Sequence, residues 1–132
     1  MGGNHCDGLD IPELSGRFRS LGLVSDTAQF YAACDVAVMA SLYEPFGLVA
    51  LEAASRGVPP IVTPEVGAWP HLKEFGAGEV WDPTTPLAPV ITSVLAHKSE
   101  FMEGASRIAA DLSPAHYAHR LLEFYRQTLE GK

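Results

Sequence analysis

A short apolar run, Asp35-Val-Ala-Val-Met39, is followed by a loop, an apolar helix-forming stretch and a second apolar run, Val58 to Thr63. This order constrains the fold more than any other feature of the chain. Short apolar runs bounded by turn residues read as buried strands. The stretch between them predicts a helix from about Gly47 to Arg56, stopped by Gly57 as a C-terminal glycine stops one. Strands alternating with helices indicate a parallel α/β sheet.

The pattern continues on both sides. Phe18 to Val24 reads as a further short strand, and Ser25 as the N-cap of a helix with Asp26 in its first turn, running through Ala33. Trp69 to Phe75 predicts a short helix with Pro70 in its first turn. Glu79 to Trp81 is the last expected strand, and Asp82-Pro-Thr-Thr-Pro86 a turn. Helices are expected over Leu87 to His97, Ser99 to Asp111 and Pro114 to Leu129, the last capped by Ser113. Residues 1–16 read as loop, 17–112 as an α/β core and 113–132 as a C-terminal helix.

Ligands of parallel sheets collect at the carboxyl ends of the strands. The loop holding Glu44 follows one strand and Pro64–Ala68 follows the next, so both fall at that edge. Phe46-Gly47-Leu48-Val49 opens a helix whose first N–H groups suit phosphate or another anion. Gly47 removes the side chain that would keep a ligand from the backbone. Glu52 lies among Leu48, Val49, Ala50, Leu51, Ala53 and Ala54. A helix that apolar is normally buried, and a carboxylate there is costly unless donors meet it. A sugar diol supplies two such donors. On one continuous helix, positions 44 and 52 would point about 80° apart, so their convergence depends on the loop. The bland reading pairs Glu52 with Arg56, four residues on.

Charge and composition narrow the partners. The 132 residues hold 16 acidic and 9 basic side chains, a net charge of -7, which argues against nucleic acid as the main partner. No uniform apolar stretch approaches membrane-spanning length, and no signal-peptide pattern opens the chain. Cys6 and Cys34 lack CxxC spacing and read as reduced thiols of a cytoplasmic protein, with a disulfide between them left open. The histidines, His116 and His119 included, read as surface or packing residues, so no metal site is expected. Trp69 and Trp81 are expected to pack, and Leu121, Phe124 and Tyr125 to form the packed face of the last helix.

Glu44-Pro-Phe-Gly-Leu-Val-Ala-Leu-Glu52 resembles the E-x7-E motif of retaining GT-B glycosyltransferases of the group 1, glycogen-synthase-like class. Leu21-Gly22-Leu23-Val24-Ser25, Phe30 to Val36, Ala53 to Pro59, Gly67 to Glu74 and Leu122-Glu-Phe-Tyr125 fall in that family's order and spacing. The resemblance implies a Rossmann-like parallel sheet with flanking helices, a partial C-terminal domain lacking its first strands. It implies glycosyl transfer with retention from a nucleotide-diphosphate sugar to an acceptor hydroxyl, in a longer parent, with no further cofactor. By the same resemblance Glu52 holds the ribose, the backbone of Phe46, Gly47, Leu48 and Val49 meets the diphosphate, and Glu44 contacts the transferred sugar as the catalytic carboxylate.

The chain departs from the family pattern in three places. The Gly-Arg…Lys-Gly segment that neutralises the diphosphate is unmatched, and so is the acceptor-binding N-terminal domain. Gly2-Gly3-Asn4 resembles the loop after the second strand, which implies a start in mid-domain. His71 replaces the acid of a Gly-Gly-x-x-Glu pattern at Gly67–His71. On this reading the 132 residues alone are inactive, and the Phe18–Val24 strand, without its neighbours, pairs with another copy or is displaced. A nucleotide-sugar epimerase of similar architecture and a non-catalytic nucleotide-binding or structural fragment are the alternatives. The parent is expected in the cytoplasm or peripheral to a membrane; donor base, sugar and acceptor are not legible.

Overall fold

The computed structural model describes Arg17 and residues 19–131. The loop expected over 1–16, Cys6 and Phe18 lie outside the described residues. Within them the elements run α1 (Thr27–Ala32), β1 (Ala37–Met39), α2 (Leu48–Ser55), β2 (Pro60–Val62), α3 (Trp69–Phe75), β3 (Glu79–Val80), α4 (Leu87–Ala96), α5 (Lys98–Asp111) and α6 (Pro114–Glu130).

The sheet is three-stranded and parallel, in the order β1-β2-β3. Ala37 stands opposite Pro60 and Met39 opposite Val62, while Val62 also stands opposite Val80. The central strand is buried along its whole length, as a strand covered on both faces must be. Pro59 and Pro60 fit at its entry because no ladder bond is required of a strand's first nitrogen. One core gathers Ala50, Leu51 and Ala54 of α2 with Val62, Leu72 and Ile108, so α2, β2, α3 and α5 close on one another. A smaller cluster joins Tyr31 of α1 to Ala53 and Val58.

Four expectations need correction. Residues 19–24 form no strand. A strand needs a partner to satisfy its N–H and C=O groups, and among the described residues β1 pairs only with β2. The cap of α1 is Asp26, not Ser25: its side chain accepts a bond from Gln29 N at 2.9 Å. α2 is not buried all round. Ala50, Leu51, Ala53 and Ala54 face the core, but its first turn projects beyond the sheet, leaving Leu48 69% and Val49 54% exposed. Finally, α6 has no buried residue, and Leu121, Phe124 and Tyr125 stand exposed. The helix touches α5, yet its apolar stripe stays largely exposed. Trp69 does pack against the main core, and Trp81 donates its indole N–H to Thr85 O at 2.9 Å.

Thr63, just past β2, is the one fully buried polar side chain among the described residues, and its hydroxyl donates to Ser41 O across the edge of the sheet. Its own N–H reaches Met39 O at 3.3 Å. Thr63 thereby fixes where the β1–α2 loop leaves the sheet. Thr63→Val keeps the shape and removes the donor. It should cost about 1–3 kcal/mol, the penalty of an unmade bond, while Thr63→Ser recovers most of that. Urea denaturation midpoints check this; an unshifted midpoint in Thr63→Val would contradict it.

Candidate functional site

Two loops meet at the carboxyl edge of the sheet. Glu44 N donates to Glu65 O at 3.3 Å, and Gly67 N donates to Glu44 O at 2.8 Å, a single parallel bridge between Glu44 and Val66. The bridge extends the β1–β2 pairing beyond the strands proper. It sets the β1–α2 loop against the β2–α3 loop, the convergence expected from topology. The fit is tight enough to need glycine twice. Gly47 takes φ +84, and a Cβ there would come within 2.6 Å of Val66 Cγ1. At Gly67 a Cβ would run into the carbonyl of Pro45.

Gly47 forms the N-cap of α2 and supplies no capping side chain. The Glu44 carboxylate takes over part of that task. Its Oε1 accepts from Gly47 N at 3.0 Å and from Phe46 N at 3.3 Å. The carbonyl of Gly47 accepts from Ala50 N and Leu51 N. Leu48 N and Val49 N then have no acceptor among the described residues, and both residues are exposed. These are the donors that an anion at a helix N-terminus meets.

Glu52 lies one turn further in and is half-buried. Its Oε1 accepts a 2.8 Å bond from Thr27 Oγ1 on α1. Arg56 makes no ion pair with it, so the bland helix-pair reading does not hold. The two carboxylates are thus held separately, Glu44 by backbone and Glu52 by a hydroxyl. In each, Oε1 is committed, and Oε2 has no hydrogen-bond partner among the described residues. Glu52 lines an open hollow of about 730 Å³ together with Phe46, Leu48, Ser55 and Ser113.

A second cavity, of about 400 Å³, adjoins the same loop and is lined by Phe46, Gly67, His71, Asp111, Tyr117 and Arg120. His71 brings no acid to this place, but Asp111 at the end of α5 does. Its carboxylate approaches His71 Nε2 at 3.2 Å, His116 Nδ1 at 3.2 Å and Arg120 Nη1 at 3.9 Å. The His71 approach is close but misaligned, and buried Nε2 makes no hydrogen bond. Spacing along the chain gave no hint of Asp111 or Thr27, because each meets its partner only through tertiary folding. Among the described residues no group of three or more His, Cys, Asp or Glu side chains is placed to hold a metal ion. No helix among them is long and apolar enough to cross a membrane.

The profile of the family described as glycosyl transferases group 1 matches residues 12–109, well over half of the chain. The chain belongs to that family. It is 34% identical over 125 residues to the D-inositol 3-phosphate glycosyltransferase of Geodermatophilus obscurus, covering 93% of this chain and 28% of that protein. It is 32% identical over 117 residues to a probable transglycosylase of Burkholderia thailandensis, covering 83% of this chain and 32% of the relative. Among solved structures it superposes on the sucrose-phosphate synthase of Thermosynechococcus elongatus with a TM-score of 0.72 at 29% identity, over 91% of this chain and 32% of that one. The glycosyltransferase WaaG, at 23% identity and a TM-score of 0.57, shares the fold. The group 1 chain thus has the α/β architecture of GT-B glycosyltransferases, and it spans about a third of the length of its relatives.

Tyr31 ties α1 to the exposed first turn of α2. Its ring is buried, and its hydroxyl donates to Val49 O at 3.3 Å. Burial pushes the phenol above its usual value; the charges of Glu52 and Cys34 add to this and Arg56 opposes it. The fold therefore keeps this proton at a pH where the unfolded chain has released it. The stability so linked is full below the unfolded value of 10.0 and is lost as pH rises through the folded value. Tyr31→Phe should cost about 1 kcal/mol at neutral pH and flatten the fall of the melting temperature above about pH 10. Thermal melts of the two proteins across that range decide; parallel alkaline slopes would contradict the assignment.

Proposed function

We propose that this chain forms most of the donor-binding half of a glycosyltransferase that moves a sugar from a nucleotide diphosphate to an acceptor hydroxyl with retention. The observation that carries the reading is the unspent donor and acceptor set at one loop. Among the described residues Leu48 N–H and Val49 N–H have no acceptor at the start of α2, and the Glu44 and Glu52 carboxylates each have one uncommitted oxygen. The N–H pair suits the diphosphate, Glu52 Oε2 a ribose hydroxyl, and Glu44 Oε2 a hydroxyl of the transferred sugar. Membership of the group 1 family and the match to sucrose-phosphate synthase support the reaction class.

In this mechanism the bond between the anomeric carbon and the leaving phosphate oxygen breaks. The acceptor oxygen bonds the same carbon from the same face, and its proton passes to the leaving phosphate. Helix-terminal N–H groups stabilise the charge that grows on that phosphate, and such preorganised donors are worth most where water is excluded. Glu44 orients the sugar and forms no covalent bond with it. The acceptor site and the rest of the cleft belong to a longer protein, a reading that the lengths of the relatives support. That protein is expected to work in the cytoplasm or at a membrane surface.

Glu52→Ala in the complete protein should lower donor turnover at least a hundredfold, the scale of a lost charged hydrogen bond plus misplacement of the donor. Release of nucleoside diphosphate in the presence of acceptor measures it. Undiminished turnover would remove Glu52 from the site. An epimerised donor formed without acceptor would replace transfer by isomerisation.

A further inference from the structure

We infer that Thr27 is a positioning residue that sets the Glu52 carboxylate for recognition of a vicinal diol, the ribose of the donor nucleotide on the reading given above. Three features hold its hydroxyl in place. Asp26 caps α1 through Gln29 N, so Thr27 is the first helical residue. A threonine there has no carbonyl of a preceding helical turn to bond, which leaves its hydroxyl free to donate outward. One turn on, on the same face, Tyr31 is buried against α2 and bonded to Val49 O. Two contacts along one helix face thus lock α1 to α2, Thr27 to Glu52 and Tyr31 to Val49.

The donor's neutrality matters as much as its position. Arg56 is available one turn along α2 and is not used. A guanidinium on Glu52 would occupy its lone pairs in a fork and offset its charge. A threonine hydroxyl takes one lone pair of Oε1 and leaves the full charge on the carboxylate. The remaining acceptor sites then keep their strength for ligand hydroxyls. Ordering the carboxylate before binding removes part of the entropy cost of immobilising a glutamate rotamer.

Binding of ADP, GDP and UDP and of their 2′-deoxy counterparts to the complete protein tests this, by titration calorimetry on whichever base binds. Thr27→Val should weaken the ribonucleotide about tenfold and weaken the deoxynucleotide much less, so that discrimination between them shrinks. Thr27→Ser, which keeps the donor, should stay within about threefold of the parent. Equal losses for both sugars in Thr27→Val would show a merely structural threonine and overturn the proposal, as would unchanged affinity. Glu52→Gln separates the two levels of the argument. If it leaves the ribose preference intact, the ribose reading itself fails, and Thr27 has nothing to position.

Discussion

The bridge between Glu44 and Val66 is the contact on which the rest of the site depends. Two backbone hydrogen bonds, from Glu44 N and from Gly67 N, carry it. Each is worth about 0.5–1.5 kcal/mol net, a small part of the stability of a domain. Its effect on geometry is larger. It draws the carbonyl of Pro45 onto Gly67 and Val66 onto Gly47, and so dictates glycine at both positions. With Gly47 in the left-handed region, α2 starts at Leu48 without a side-chain cap, and the Glu44 carboxylate turns back onto Phe46 and Gly47 nitrogens. The uncapped N–H groups of Leu48 and Val49 follow from one pairing.

Packing beneath the loop makes that arrangement rigid. Thr63 holds Ser41 from below, and the α2 face made of Ala50, Leu51, Ala53 and Ala54 is small enough to seat the helix closely on β2 and α5. The small side chains let α2 approach the sheet, while the larger Leu48 and Val49 are left at the exposed end. Function and packing are divided along one helix. From Ala50 on, its apolar face belongs to the core, and its first two residues belong to the edge where a ligand of a parallel sheet sits.

Much of this was legible in the sequence because the signals are local. The apolar runs at 37–39 and 60–62, Gly57 as a helix stop, and Pro70 and Pro114 as helix starts act within a few residues of themselves. Element ends were less legible. Asp35, Val36 and Val58 lie in the runs read as strands but enter no ladder, while Pro59 and Thr63 each contribute one bond at its ends, so the strands are shorter than those runs. Residues 19–24 form no strand for the same reason, since composition cannot supply a neighbour. At the site, the positions of Glu44 and Glu52 could be read, but not what holds them. Thr27 meets Glu52 from 25 residues away, and Asp111 reaches His71 from another helix. The exposed stripe of α6 marks the limit in the other direction: its periodicity names an apolar face correctly, and says nothing of what covers it.

The central claim is that the first turn of α2, flanked by Glu44 and Glu52, receives the diphosphate of a nucleotide sugar. A crystal structure of the complete protein with bound nucleoside diphosphate tests it most directly. The account predicts phosphate oxygens within about 3 Å of Leu48 N and Val49 N, with a ribose hydroxyl on Glu52. A nucleotide seated instead in the cavity between His71 and Arg120, with Leu48 N and Val49 N left to solvent, would contradict it.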